Sequence, residues 1–362
     1  MYYHDYLELD KILDSQHPKS FAPGEQPAHD EMLFIIVHQA YELWFKQIQF
    51  ELDFVQRVFG QTHINDNDED LNLVRHRLHR VIRILELLNQ QITLLDTMTP
   101  LDFLEFRNLL TPSSGFQSLQ YRLVEARLGL RMDERHQHDY YKRTNEGGFT
   151  PAHYEMLTRI EAGENLLDQV NRWLERMPFF GREYWASYVP EAAGAGLAHP
   201  TGAAATHPFW ADYTNLYRQS LTERETKKID DFQWVFFREA APGFTEAQQL
   251  QTSLSPEALR SALFIMLYRD FPVFQTSYQI LDSLIEIDHW MAGWRHKHLT
   301  MVRRMIGMRV GTGNTSGSGY LEGALSRHYV YRDLAALSTY LIERRKLPRL
   351  PLELIRHLSF NT

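Results

Sequence analysis

The chain is predicted to be all-α, and three observations carry that reading. Apolar residues recur at helical spacing over long stretches. No alternating run of β-branched residues bounded by turns is present. No repeat period or heptad array stands out, which excludes a solenoid and a coiled coil. At 362 residues the chain can bury a large core. One helical domain over residues 1–362 is expected, because helical patterning continues on both sides of its only low-complexity segment.

Residues 1–25 read as an N-terminal arm: Tyr2, Tyr3 and Tyr6 precede Leu7, Leu9, Ile12 and Leu13, and Pro18 to Pro27 is rich in turns. Asp30 can cap a long helix from Glu31 to Phe59, on which Phe34, His38, Tyr41, Glu42 and Phe45 share a face. After a polar loop over 61–69, Leu73, Val74, Leu78, Val81, Ile82, Leu85 and Leu88 predict a second long helix from Asp70 to about Thr97. Pro100 opens a shorter one, Leu101 to Leu110, where Phe103 and Arg107 are neighbours four residues apart. Helices are then expected over Phe116 to Leu128 and from Ala152 to Pro178, with a polar irregular stretch from Arg131 to Thr150 between them. The low-complexity segment 190–208 reads as a surface loop. Beyond it come helices over Trp210 to Glu239, Pro256 to Arg269, Val273 to Met308, Tyr320 to His328 and Asp333 to Tyr340, with a last short one after Pro351.

A formal charge of -8 leaves no basic surplus to neutralise phosphates, so no nucleic-acid partner is expected. No stretch approaches the roughly 18 apolar residues of a membrane span, and Met1-Tyr2-Tyr3-His4-Asp5 has no signal-peptide pattern. A cytoplasmic protein is expected. Cysteine is absent, which removes disulfides, thiolate nucleophiles and Cys-type metal sites. Any metal would rest on the other donors, among which 17 histidines offer ample choice.

Chemistry concentrates at Trp294-Arg295-His296-Lys297-His298. Ile287, Met291, Trp294, Met301 and Met305 mark the inward face; His298, four residues after Trp294, shares it, and His296 points away. A histidine on a buried stripe needs a hydrogen-bond partner or a metal. The same holds for His38, and for both a satisfied core residue is the ordinary explanation. Arg107, among Phe and Leu, needs an anion, which an internal Glu would supply as well as a substrate carboxylate. The loop Gly311-Thr312-Gly313-Asn314-Thr315-Ser316-Gly317 brings backbone and hydroxyls near the end of the His298 helix. These features permit a histidine-ligated cofactor enzyme for a small anionic substrate without selecting one.

The ordered motifs do more. His29-Asp30-Glu31 with Leu33 to Trp44, Leu101-Asp102-Phe103 through Phe106-Arg107, Ser114 to Gln120, Trp294-Arg295 with His298, and Gly311-Thr312-Gly313 resemble the tryptophan 2,3-dioxygenase family from Tyr3 to about Leu341. That resemblance implies long helices enclosing a haem pocket, a homotetramer, and an N-terminal segment reaching a neighbouring subunit. It implies haem b iron held by His298, with Trp294 and Ser114 near the haem and dioxygen as co-substrate. His38 would face the indole N–H of L-tryptophan, Phe34 and Phe103 would wall the indole, and Arg107 would pair with the carboxylate. Thr312 would close over the amino-acid end, and Tyr3 and Tyr6 would come from a neighbouring copy. The implied reaction is cleavage of the indole 2,3 bond to N-formylkynurenine, a step of tryptophan catabolism.

Two departures keep other outcomes in view. Asn314-Thr315 replace the family's usual Gly-Ser, and His4 stands where a glycine is usual. A haem monooxygenase forming an oxindole from tryptophan or β-methyltryptophan is one alternative, and a non-catalytic haem-binding sensor is another.

Overall fold

The apolar phases read from the sequence become helices. The computed structural model describes residues 1–62, 64, 69–130, 148–190, 206–240, 243, 245–246, 249–307, 309, 322–323, 325 and 328–358, and no strand is found among them. The Thr312 loop and most of segments 61–69, 131–150, 190–208 and 320–328 lie outside the described residues; of the helix expected over the last, Glu322, Gly323 and Leu325 are described and helical.

Along the chain the helices are α1 (Tyr3–Tyr6), α2 (Leu9–Leu13), α3 (Asp30–Phe59), α4 (Glu69–Gln91), α5 (Pro100–Arg107), α6 (Leu119–Leu128), α7 (Pro151–Glu161) and α8 (Leu166–Glu175). They continue with α9 (Pro208–Ser220), α10 (Lys228–Phe237), α11 (Pro256–Leu267), α12 (Pro272–Ile306), α13 (Arg332–Ala336) and α14 (Leu352–Leu358). Asp30 is the first residue of α3 rather than its cap, and the next residue, Glu31, anchors the entry. Its buried carboxylate accepts from the Lys19 and Ser20 backbone N–H groups, each at 2.8 Å. The helix expected up to Thr97 tightens after Gln91 into a 3₁₀ stretch, Ile92–Thr97.

Two expected long helices are each broken. Helix resumes as α8 after α7 ends at Glu161, and Gly163 follows that end; a Cβ there would meet the Ile160 carbonyl at 3.3 Å. Between α9 and α10, Thr222 and Glu225 form a capping box on a short 3₁₀ turn. Both breaks are short, residues 162–165 and 221–227, and helical patterning resumes directly after each.

The chain divides into two compact units. The first comprises Met1–Gln56, His76–Leu166 and Glu286–Val330; the second comprises Arg57–Arg75, Leu167–Ile285 and Tyr331–Thr362. In the first, Val37, Tyr41, Phe45, Ile48 and Leu52 form the buried stripe of α3, and Leu78, Val81, Ile82, Leu85 and Leu88 that of α4. The two helices run antiparallel, because Tyr41 Oη donates to the Leu88 carbonyl (2.8 Å), and Gln91 Nε2 donates to that of Val37 (3.0 Å). Arg80 pairs with buried Glu51 at 2.9 Å further along. Asn89 then ties α4 to α12, donating to the Trp290 carbonyl at 2.9 Å. Gly293 permits this approach, since a Cβ there would stand 3.1 Å from Asn89 Oδ1. Leu123 and Ala126 of α6 pack with Phe149 and Leu157 as a side cluster.

The second unit is organised around aromatic rings. Phe209, Trp210, Tyr213 and Tyr217 of α9 meet Phe232 and Phe236 of α10 and Phe264 of α11. Buried phenols find carbonyl partners, Tyr213 at Tyr340 (2.7 Å) and Tyr268 at Pro348 (2.7 Å).

Candidate active site

The sequence-predicted residues gather in the first unit. On α3, Phe34 and His38 are one turn apart, so their rings meet at 4.1 Å between centroids. Phe103 of α5 lies 5.8 Å from Phe34, and buried Phe106 lies 5.6 Å from Phe34 and 5.4 Å from Phe103. The helix that brings Phe103 and Phe106 here is started by Thr99, which caps the Asp102 N–H while Asp102 accepts from Thr99 N at 2.8 Å.

His38 Nδ1 is 2.7 Å from the Phe34 carbonyl oxygen. A carbonyl only accepts, so Nδ1 carries the proton and the neutral ring keeps Nε2 as a bare acceptor. Burial holds the His38 pKa below its ordinary value, and the bond to Phe34 opposes that only in part.

On α12 the buried phase is Met291, Arg295 and Leu299, with Ile287 before it. This is rotated from the predicted stripe: Trp294 and His298 lie half-buried at its edge, and His296 is exposed as expected. Trp294 and His298 stack with ring planes 6° apart and centroids 5.2 Å apart. Burial, the nearby His38 and Arg122 together lower the His298 pKa to about 4, so its imidazole is neutral at neutral pH. Its Nδ1 is a buried nitrogen with no hydrogen-bond partner.

Other predicted residues stand further out. Arg107 is half-buried in the last turn of α5. Ser114 caps a 3₁₀ turn, its oxygen accepting from Phe116 N, and Phe116 packs on Leu299 beside His298. Tyr3 and Tyr6 are 74% and 68% exposed on the single chain. The arm is fastened at its far end, where the Gln39 amide donates to Ser15 O at 2.9 Å and accepts from Gln16 Nε2 at 2.7 Å.

The sequence reading names Arg295 only as part of the Trp294 motif and gives no role to Tyr121, Glu125, Arg295 or His328, which form a buried polar network next to Trp294. Arg295 Nε donates to Tyr121 Oη (3.0 Å), Nη2 to Glu125 Oε1 (3.0 Å) and Nη1 to the His328 carbonyl (2.8 Å). The available signal was phase: Met291, Arg295 and Leu299 are four apart, and an arginine in that series demands an internal anion.

Comparison with known proteins bears on the family of the chain. A family model described as Tryptophan 2,3-dioxygenase matches residues 1–341. A tryptophan 2,3-dioxygenase of Bdellovibrio bacteriovorus is 41% identical over 100% of this chain and 98% of its own length. One from Xenopus laevis is 42% identical over 96% of this chain and 84% of its own. One from Dictyostelium discoideum is 39% identical over 97% and 86%.

Proposed function

Because the chain belongs to the tryptophan 2,3-dioxygenase family, we propose that it binds haem b and uses dioxygen to cleave the indole 2,3 bond of L-tryptophan, giving N-formylkynurenine. The observation that carries the proposal is a pair of half-buried histidines held in one unit, His38 against the Phe34, Phe103 and Phe106 rings and His298 stacked on Trp294 with an unpartnered Nδ1.

The residues fit the cofactor. A neutral imidazole has one nitrogen lone pair to give to iron, and His298, held neutral and unpartnered at buried Nδ1, would hold the group. Trp294, stacked on it, and Ser114, which caps the turn carrying Phe116, would border the porphyrin. When bound, ferrous haem supplies the binding and activation of dioxygen, which no side chain can provide.

The chain's own residues bind and orient the substrate. Phe34 and Phe103 offer the walls for a planar indole. The bare Nε2 of His38 accepts a hydrogen bond from the indole N–H; this positions the ring and requires no proton transfer to His38. Arg107 presents a planar guanidinium to the α-carboxylate, a bidentate fit that Lys could not reproduce. Thr312 holds the amino-acid end. Tyr3 and Tyr6, exposed on a single chain, are supplied to the pocket of a neighbouring copy in a homotetramer. Among the described residues no helix is long and apolar enough to cross a membrane, and we place the enzyme in the cytoplasm.

The test is direct. Haem-loaded ferrous protein mixed aerobically with L-tryptophan is expected to give a ring-opened product with the mass of N-formylkynurenine. An oxindole, or haem without any turnover, contradicts the proposal.

A further inference from the structure

Trp294 is confined on several sides. Tyr41 meets it at 5.9 Å, Phe45 edge-on at 6.2 Å and Tyr121 at 4.9 Å, and its indole lies parallel to His298. The two tyrosines of this cage are pinned at their hydroxyls. Tyr41 donates to the Leu88 carbonyl at 2.8 Å, and Tyr121 accepts from Arg295 Nε at 3.0 Å. Arg295 is itself fixed at its other two nitrogens by Glu125 and by the His328 carbonyl. Glu125 also takes Arg122 Nη1 at 2.7 Å.

Such a network is costly to build. Burying an arginine and a glutamate is repaid only when every donor and acceptor is matched, and apolar residues of equal volume would stabilise at least as well. The side chains therefore need a reason beyond packing, and their position gives one. Arg295 directly follows Trp294 in α12, so adjacent residues divide the work, one stacking on His298 and the other locking the ring that presses on the stack.

We propose that Tyr121 and Arg295 are positioning residues that hold Trp294 flat against His298 and so fix the rotation of the imidazole that binds iron. The inference rests on His298 being the haem ligand. An imidazole ligated through one nitrogen can still turn about its Cβ–Cγ bond, and a parallel indole removes that freedom. Partners beyond the ligand that set its orientation are worth a large share of metal affinity in other sites.

The experiment uses the full-length haem-loaded protein. Tyr121→Phe keeps the ring and removes only the hydroxyl that Arg295 meets; Trp294→Ala removes the stack, and Trp294→Phe keeps an aromatic ring as the conservative rescue. Two readouts are taken: the iron–imidazole stretching band of the ferrous protein by resonance Raman, and the rate of haem loss to excess apomyoglobin. Tyr213→Phe, which deletes an equally buried phenol bond in the second unit, is the control for general destabilisation. Tyr121→Phe and Trp294→Ala are expected to shift or broaden the band and to speed haem loss by about 10- to 100-fold. Trp294→Phe should recover most of both, and Tyr213→Phe should change neither. An unchanged band and rate in Tyr121→Phe and Trp294→Ala overturn the proposal, as do equal effects from Tyr213→Phe. If Tyr121→Phe does not fold, Arg295→Lys, which removes the Nε–H that meets Tyr121 while keeping a cation, takes its place, and an unchanged band and rate there overturn the proposal. No iron–imidazole band in the unsubstituted protein refutes instead the assignment of His298 as ligand.

Discussion

His298 of the first unit and His207 of the second are alike in isolation. Both are unpartnered at buried ring nitrogens, and burial lowers both pKa values to about 4. Their surroundings differ. His207 is only 8% exposed and sits edge-on to Phe180 and Trp185, with ring planes 84° and 77° away, and the charges nearby are Arg182 and Arg260. His298 lies half-buried, flat against one indole, with a second neutral histidine within electrostatic reach. An orphaned imidazole nitrogen alone therefore does not mark a ligand. What supports His298 as the proposed ligand is the parallel stack on Trp294 and a second histidine close by against the Phe34 and Phe103 rings.

The sharpest way to break this contrast is to exchange the roles. His298→Ala is expected to abolish stable haem uptake and its visible spectrum, and His207→Phe to leave both intact; a normal haem spectrum in His298→Ala would end the assignment. Next in size, Arg107→Ala should raise the tryptophan KM by roughly 10- to 100-fold, the worth of a hydrogen-bonded charge pair, with the haem spectrum unchanged. A KM within twofold of the unsubstituted enzyme would remove Arg107 from the carboxylate. His38→Ala should cost less, roughly two- to tenfold in kcat/KM, since one hydrogen bond to a neutral N–H is lost. A complete loss of turnover with tryptophan still bound would make His38 an obligatory base instead.

A separate effect, on stability rather than turnover, is the one the two histidines share. Each has a folded pKa below its unfolded value of 6.5. Between about pH 6.5 and 4 the unfolded chain therefore binds more protons, and stability is full above that window and falls as pH drops through it. The urea midpoint of the haem-free protein should fall from pH 7 to pH 5, and the fall should be shallower in His207→Phe. An identical pH dependence in that variant would mean that His207 is not held neutral by the fold.

Much of the fold was legible because helices write their faces locally. Phe34 with His38, and Trp294 with His298, are each four residues apart, and one turn of helix brings them together without tertiary information. The helix breaks near Gly163 and Thr222 were less visible, since helical patterning resumes directly after each, although Thr222 and Glu225 do carry the spacing of a capping box. The Tyr121–Arg295 bond joins residues 174 positions apart, and nothing local to either predicts the other. Tyr3 and Tyr6 illustrate a different limit: both are exposed on the single chain, and the role proposed for them depends on a second copy.

Counting oxygen atoms tests the central claim most directly. Ferrous haem-loaded protein would be given L-tryptophan under isotopically labelled dioxygen, and the product weighed. Two labelled atoms in a ring-opened product are expected if the indole 2,3 bond is cleaved by both atoms of one dioxygen. A single labelled atom in an oxindole would contradict that reading and move attention to Asn314 and Thr315, the two residues where this chain departs from the usual loop.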